Sequence, residues 1–363
     1  MSAVVEESPV IEIKSGKLRG ARRDGVFTFK GIHYGQSTAG ANRFMPPLPV
    51  LPWTGVRDAL DYGPRAPQNE RPSAAPHVAW IRDTRATSED CLVLNVWTPA
   101  LGSGKRPVMV YIHGGGFISG SSGAAGIDGT NLAKNGDVVV VSMNHRLNVF
   151  GHCYLGAYDK RFADSGNVGM LDLVAALKWV RDNIAQFGGD AGNVTIFGQS
   201  GGASKVAVLM AMPDAKGLFH RAIVQSASSL LRMASAQDAE RAAWGVLAEL
   251  NIDKSQIDEL QRVPANKLLE AMSKSIKESN IDNNRPTVDG RALPTHPFDP
   301  QAPALSSTVP LLIGTCETEV AFDFSQNPKN FSLDAAAASA RVQFLLGLDD
   351  RATDAMMAAY KKT

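Results

Sequence analysis

Short apolar runs alternate along the chain with longer segments in which apolar residues recur at helical spacing. Six runs have the length and composition of β-strands, at residues 91–98, 108–113, 138–144, 194–199, 222–226 and 310–315. Residues 138–141 are consecutive valines, and such an unbroken run is typical of a parallel strand buried on both faces. The runs therefore predict a largely parallel sheet.

A helix is predicted at residues 168–187. Its apolar residues recur at steps of three and four, and they are Met170, Leu173, Val174, Leu177, Val180 and Ile184. With the strand candidates, this helix gives a succession of βαβ units. The sequence therefore predicts an α/β fold, in which a mainly parallel central sheet carries helices on both faces.

The first 90 residues differ in composition and are rich in glycine and proline. Strand-like pieces at residues 10–13 and 17–21 predict an N-terminal hairpin, followed by a long segment that wraps around the fold. Residues 237–277 predict two helices that could form a cap. Because no linker-like stretch interrupts the chain, residues 1–363 are predicted to form a single domain.

A serine lies at the end of the strand predicted at residues 194–199. The strand runs into Gly-Gln-Ser-Gly-Gly, with Ser200 at the centre, and a helix is predicted from Gly201 onwards. The glycines permit a sharp, strained turn that exposes the hydroxyl, and the helix directs its N-terminal amides to the same place. A nucleophile turn is one interpretation, and an ordinary turn is the other.

A second glycine cluster, Gly114-Gly115-Gly116, follows the strand predicted at residues 108–113. No Gly-Lys-Ser/Thr sequence follows, so a phosphate loop is excluded. A flexible turn is one alternative. Backbone amides facing the oxyanion of an acyl-transfer intermediate are the other, and the amide after Ser200 would add a donor. Both glycine turns lie at the carboxyl ends of strands, where open α/β sheets bind ligands.

A pair of acids follows the last predicted strand, at residues 310–315. Glu317 and Glu319 lie in the turn after it. One of them could orient a histidine, and a solvated acidic loop is the alternative.

Composition excludes several classes of function. Hydrophobic residues make up 44% of the chain, charged residues 20%, and the net charge is +1. Because both signs are scattered, neither nucleic acid nor an acidic membrane surface is expected as a partner. With no secretory signal and no apolar stretch of membrane-spanning length, a cytoplasmic protein is expected.

No cofactor or metal is expected. No group of histidines, cysteines and carboxylates has the spacing of metal ligands. The cysteines, Cys91, Cys153 and Cys316, are odd in number and far apart, so free and mostly buried thiols are predicted.

The chain resembles a type B carboxylesterase. The matching stretches run in the family's order, at residues 29–32, 43–47, 88–96, 113–117, 144–147, 166–172, 187–190 and 219–223. The resemblance implies an α/β-hydrolase fold and hydrolysis of small carboxylic esters through an acyl-enzyme. It also implies no disulfide at Cys91, because the cysteine that secreted relatives pair with it is missing.

The resemblance also implies roles for individual residues. Ser200 would be the nucleophile, and Glu319 the acid of the triad, because Thr318-Glu319-Val320 stands where the family usually has Asp-Glu-Gly. The amides that donate to the oxyanion would be those of Gly115, Gly116 and Gly201. Gln199 replaces a glutamate of the family, and Gly201 an alanine; both suit a nucleophile turn.

The catalytic histidine is the main departure from the family, which places it well downstream of the acid. No histidine follows Glu319; the histidines are His33, His77, His113, His145, His152, His220 and His296. His113 and His220 match structural positions of the family. His145 and His152, near the strand at residues 138–144, are the alternatives as a base, although neither matches a motif.

The missing histidine predicts that the chain is truncated at its C-terminus and lacks the last strand of the sheet. Two alternatives to an esterase remain open. One is a non-catalytic recognition protein on the same scaffold, although such proteins often lose the serine that this chain keeps. The other is an inactive truncation product.

Overall fold

The computed structural model describes residues 7–70, 76–279, 284–319, 328–346 and 348–361. The chain divides into two compact units, residues 1–314 and 315–363, each described by itself. The single domain therefore stays a prediction. In the described part of the chain, no helix is both long and apolar enough to cross a membrane.

The described strands belong to the first unit. They are β1 Val10–Ile13, β2 Gly16–Arg19, β3 Ala21–Arg23, β4 Val26–His33, β5 Val56–Asp58, β6 Val93–Thr98, β7 Arg106–Ile112, β8 Val139–Met143, β9 Gly189–Gln199, β10 Arg221–Gln225, β11 Ala234–Ser235, β12 Thr287–Val288 and β13 Leu311–Gly314. Each of the six strands predicted from residue 91 onwards corresponds to one of them.

The described helices lie in both units. Those of the first unit are α1 Thr130–Gly136, α2 Asn148–His152, α3 Val168–Asn183, α4 Gly201–Ala211, α5 Ala236–Glu249 and α6 Ala265–Ser279. The second unit contains α7 Ala335–Leu346 and α8 Asp350–Tyr360.

A mainly parallel sheet forms the centre of the first unit, as predicted. Its strand order is β13-β10-β9-β7-β8-β6-β4-β3. The five strands from β13 to β8 are parallel, and β6, β4 and β3 continue the sheet antiparallel. The valine run became β8, in which every residue is buried, and this burial on both faces explains the absence of polar alternation. The carboxyl ends of β7 and β9 lie side by side.

The N-terminal segment differs in part from the prediction. β1 and β2 form the predicted antiparallel hairpin. Residues 21–33, however, do more than wrap around the fold, because β3 and β4 extend the central sheet through antiparallel pairing of β4 with β6. The predicted strand at residues 17–21 is divided between β2 and β3.

The predicted helices are present with small changes at their ends. The helix predicted at residues 168–187 is α-helical to Asn183 and then continues as a 3₁₀ turn that Gly188 ends with φ of 76°. The two helices predicted within residues 237–277 are α5 and α6, which pack against each other. Their role as a cap stays a prediction.

A buried ion pair joins two of the stretches on which the family resemblance rests. Arg146 Nη2 donates to Asp172 Oδ1 at 2.6 Å and Arg146 Nε to Oδ2 at 2.9 Å, and both side chains are at most 1% exposed. The backbone amide of Arg146 also donates to Asp172. This pair fixes the chain after β8 to α3.

The Asp172→Asn variant is expected to lose about 3–5 kcal/mol of unfolding free energy, because it leaves the Arg146 guanidinium buried without a counter-charge. Urea unfolding at neutral pH measures the loss. Asp58→Asn is the matched control: Asp58 pairs with Arg19 on the surface, and an exposed pair contributes only about 0–1 kcal/mol. Equal losses in the two variants would contradict the expectation.

Candidate active site

Ser200 lies on a strained turn between β9 and α4. Its φ is 55° and its ψ −124°, a conformation that residues other than glycine rarely adopt. Its amide donates to the Gln225 carbonyl at 2.9 Å, which ties the turn to the end of β10. The turn therefore holds a half-buried Ser200 at the carboxyl end of the sheet.

The glycines on either side of this turn fill positions with no room for a side chain. A Cβ at Gly198 would lie 2.5 Å from the Gly202 carbonyl carbon, and one at Gly202 would lie 2.1 Å from the Ile112 oxygen. Strand β9, helix α4 and the end of β7 therefore meet backbone to backbone beneath Ser200, and this close approach explains the Gly-x-Ser-x-Gly pattern.

The second glycine cluster contacts the serine turn directly. We call residues 113–117 the glycine loop; within it, Gly115 and Gly116 have φ of 96° and 63°. A Cβ on Gly201 would lie 2.4 Å from the backbone of Gly116, and one on Gly114 would lie 3.6 Å from the Ser200 Cβ. The structure therefore brings together Ser200 and the three predicted donor glycines.

Several amides at this place have no acceptor within the described residues. The N–H groups of Gly115, Gly116 and Gly201 donate to no protein oxygen there. Gly201 is the first residue of α4, whose N-terminal amides and dipole favour negative charge. The arrangement can therefore bind an anion that forms beside Ser200.

Gly201→Ala is expected to cost about 1–3 kcal/mol, because the added methyl group meets the Gly116 backbone, which cannot rotate away as a side chain could. Thermal unfolding measures the loss. Gly314→Ala is the matched control, since nothing lies within 4 Å of a Cβ at that position. An unchanged Gly201→Ala variant would contradict this expectation, because it would show that the Gly116 backbone yields to a methyl group without cost.

Three buried histidines lie in the first unit near the glycine loop. His113, His145 and His152 are at most 2% exposed, and we call them the histidine cluster. The rings of His113 and His145 are stacked with centroids 4.7 Å apart. His113 Nδ1 contacts the Gly114 carbonyl, and His152 Nδ1 the Gly166 carbonyl. The remaining ring nitrogens of the cluster have no hydrogen-bond partner among the residues that the structure describes.

Burial determines the charge state of the histidine cluster. It lowers the pKa of His113 and of His152 to about 3, and that of His145 well below its ordinary value. The charge of nearby Lys205 lowers all three further. The cluster is therefore neutral at physiological pH.

No described histidine hydrogen-bonds to the Ser200 hydroxyl, and this includes the two alternatives, His145 and His152. His220 and His296 accept from the amides of Val194 and Met233. His33 faces Asp90. The side chain of His77 lies outside the described residues.

Glu319 lies in the second unit. Its Oε1 accepts from the Cys316 amide at 2.8 Å, a contact that closes the turn after β13. Its role as the acid of the triad stays a prediction. The cysteines are free, and Cys91 and Cys153 are buried while Cys316 is exposed.

Lys205 also lies in the site region, although no sequence motif points to it. It lies within α4, whose residues are all buried, and its own exposure is 0%. A signal was available: it is the one charged residue in the otherwise small and apolar stretch 201–211.

Comparison with known proteins identifies the family. The model of the carboxylesterase family matches residues 7–358. Para-nitrobenzyl esterase of Bacillus subtilis is 39% identical over 342 residues, which are 93% of this chain and 68% of the relative. Phenmedipham hydrolase of Pseudarthrobacter oxydans is 35% identical over 326 residues, 88% of this chain and 64% of the relative. The chain thus spans about two thirds of these relatives.

Solved structures agree. A crystal structure of a Geobacillus stearothermophilus carboxylesterase superposes with a TM-score of 0.86 at 39% identity, covering 98% of this chain and 70% of the other. A thermophilic para-nitrobenzyl esterase gives a TM-score of 0.84 at 38% identity, covering 94% of this chain and 70% of the other.

Proposed function

Because the chain belongs to the carboxylesterase family and has its α/β-hydrolase fold, we propose that it cleaves carboxylic esters through an acyl-enzyme on Ser200. The observation that carries this proposal is the convergence of a strained serine with three amides that have no acceptor among the described residues. Acyl transfer requires this combination, whereas an ordinary turn requires neither a strained serine nor free amides beside it.

The first step is attack of the Ser200 oxygen on the ester carbonyl carbon. The carbonyl oxygen becomes an anion and receives hydrogen bonds from the amides of Gly115, Gly116 and Gly201. Collapse of this intermediate breaks the bond to the alcohol oxygen, which leaves with a proton. Water then attacks the acyl-enzyme and releases the acid.

Proton transfer is the step for which the described residues show no base. The hydroxyl proton of Ser200 has to pass to an imidazole, and Glu319 is proposed to orient that imidazole. Among the described residues, no histidine bonds to Ser200, and none follows Glu319 in the sequence. Imidazole supplied in solution is therefore the base of choice for assays of these 363 residues.

The names of two relatives suggest the substrate class. A para-nitrobenzyl esterase and a carboxylesterase are both similar to this chain. We propose a small carboxylic ester, and p-nitrophenyl acetate and a para-nitrobenzyl ester are the first substrates to test.

A fluorophosphonate probe tests the nucleophile, since its phosphorus takes the place of the ester carbonyl. With imidazole present, the adduct is expected on the tryptic peptide that contains Ser200, and Ser200→Ala is expected to prevent labelling. The urea-unfolded chain is the control, because only the folded turn aligns the hydroxyl with its donors. Labelling that persists at another serine in Ser200→Ala would refute the assignment.

A further inference from the structure

Lys205 is buried without a counter-ion in the described part of the chain. It shows 0% exposure, and none of the described carboxylates pairs with it. Transferring an ammonium group from water into an apolar helix face is costly, and lysine is almost never fully buried unless it is paired. A residue kept at such a cost is expected to make contacts that a smaller apolar residue cannot make.

The contacts of Lys205 lie at both ends of the glycine loop. Its Nζ donates to the His113 carbonyl at 3.1 Å, immediately before the three glycines. The same Nζ lies 5.6 Å from the ring centroid of Phe117, immediately after them. One ammonium group, fixed on the helix that begins beside Ser200, therefore touches both residues that flank Gly114, Gly115 and Gly116.

We propose that Lys205 is a positioning residue, which fastens both ends of the glycine loop to α4 and so holds the loop amides at the distance from Ser200 that the oxyanion requires. This inference rests on the proposed function for its catalytic meaning. The fastening itself is a structural claim that can be tested without turnover.

Three consecutive glycines need such a fastening. Gly115 and Gly116 adopt positive φ, and glycine backbones have more conformations to lose than any other residue. The loop amides stabilise the oxyanion only if they are already fixed in place before its negative charge develops. A displacement of about 1 Å can cost about 10²-fold in rate. A charge-assisted hydrogen bond at one end and a cation–π contact at the other supply the rigidity that the glycines lack.

The charge on Lys205 is expected to change near neutral pH. Burial lowers the pKa of Lys205 to about 7. The titratable groups near it are those of the histidine cluster, whose pKa values the charge of Lys205 lowers: His113 from the glycine loop, His145 from the chain after β8, and His152 from α2. Because their pKa values are lowered far below neutral, these histidines stay uncharged while Lys205 titrates. A deprotonated Lys205 keeps a weaker hydrogen bond and loses the cation–π contact.

The kinetic test compares Lys205→Met with Lys178→Met in imidazole buffer, using p-nitrophenyl acetate. Methionine keeps a long, flexible side chain and removes the charge, and Lys178 is an exposed lysine of α3 that serves as the control. Lys205→Met is expected to lower kcat about 10- to 100-fold with KM nearly unchanged, because the loop amides act on the transition state. Lys178→Met is expected to match the wild type.

The structural test follows the Gly115 and Gly116 amide signals in protein labelled with [¹⁵N]glycine, from about pH 6 to about pH 9. In the wild type both signals are expected to shift with a midpoint near the pKa of Lys205, about 7, and in Lys205→Met they are expected to stay constant. Should Lys205→Met fail to fold, the wild-type titration decides alone. This measurement needs no catalysis, so it tests the fastening of the loop even if the proposed esterase function is wrong.

Two outcomes would overturn the inference. One is a pair of loop signals that do not titrate near neutral pH in the wild type, or that titrate identically in Lys205→Met. The other is a kcat of Lys205→Met equal to that of Lys178→Met. A fall in thermal stability with kcat unchanged would show that Lys205 serves the fold only, and this also contradicts a positioning role.

Discussion

The wild-type chain and its Ser200→Ala variant are expected to hydrolyse p-nitrophenyl acetate at nearly equal, low rates in a buffer without imidazole. Serine and base act as a unit, and losing either costs about as much as losing both, on the order of 10⁶-fold in kcat. With no described histidine bonded to Ser200, only the amide donors and substrate binding remain. Such remnants retain about 10³–10⁴-fold over water.

Added imidazole is expected to make the hydrolysis rates of the wild type and the Ser200→Ala variant differ. As an external base it can take the Ser200 proton, and a positioned base contributes about 10²–10⁴-fold, so imidazole from solution is expected to raise the wild-type rate by about 10²-fold. The Ser200→Ala variant has no oxygen to deprotonate at this position. Its rate is expected to equal that of the same imidazole buffer without protein. Ser255→Ala, which changes an exposed serine, is the matched control and is expected to respond as the wild type does.

A wild-type rate about 10⁶-fold above that of Ser200→Ala without imidazole would contradict this expectation, because it would place a working base within these residues. His145→Gln and His152→Gln would then identify it. Equal rates of wild type and Ser200→Ala with imidazole present would instead remove Ser200 from the mechanism.

The serine turn and the glycine loop were predictable because their chemistry lies in short, contiguous sequence. Gly198 and Gly202 are required by backbone contacts below 3 Å, and such a constraint permits no other residue. The parallel strands were predictable for a similar reason, since burial on both faces leaves an unbroken apolar run such as β8.

Strands β3 and β4 could not be predicted from their own residues. Strand β3 pairs with β4, and β4 in turn pairs with β6, whose Val96 lies 67 residues beyond its partner Phe29 along the chain. In β4 buried and half-buried residues follow one another without regular alternation, so the local pattern carries no clear strand signal. Strand propensity depends on the partner, and one segment does not contain that information.

Lys205 shows a different limit. A lysine within an apolar helix is unusual and can be recognised in the sequence, but the sequence does not show what the lysine does. The purpose depends on two contacts more than 85 residues away along the chain, with His113 and Phe117. The histidine cluster was likewise visible only as scattered residues until the fold stacked His145 on His113.

Unfolding in mild acid is the second large effect expected, and it follows from the histidine cluster. An unfolded histidine has a pKa of about 6.5, whereas burial holds the folded pKa of His113 and His152 at about 3 and that of His145 well below the ordinary value. Below about pH 6.5 the unfolded chain therefore binds up to three more protons than the folded chain. Stability is fully present above that pH and is lost as the pH falls.

The loss of unfolding free energy in acid is large enough to unfold the protein. Three extra protons lower the unfolding free energy by about 4 kcal/mol per pH unit, so two units of acidification remove about 8 kcal/mol. A typical domain has only about 5–15 kcal/mol in total. The chain is expected to unfold between about pH 5 and about pH 4, as followed by circular dichroism and by urea titrations at several pH values.

His145→Leu is the variant that isolates the cause. It puts an apolar side chain in place of a ring whose two nitrogens have no hydrogen-bond partner in the described part of the chain. The slope of unfolding free energy against pH measures the extra protons bound by the unfolded chain. It is expected to fall from the value for about three protons to that for about two. The matched control is Ser255→Ala, which changes an exposed side chain that does not titrate and is expected to leave the slope unchanged. Lys205 does not interfere, because below its pKa of about 7 it is protonated in both states. An unaltered slope in His145→Leu would assign the acid sensitivity to other groups and refute the neutral, buried state of the cluster.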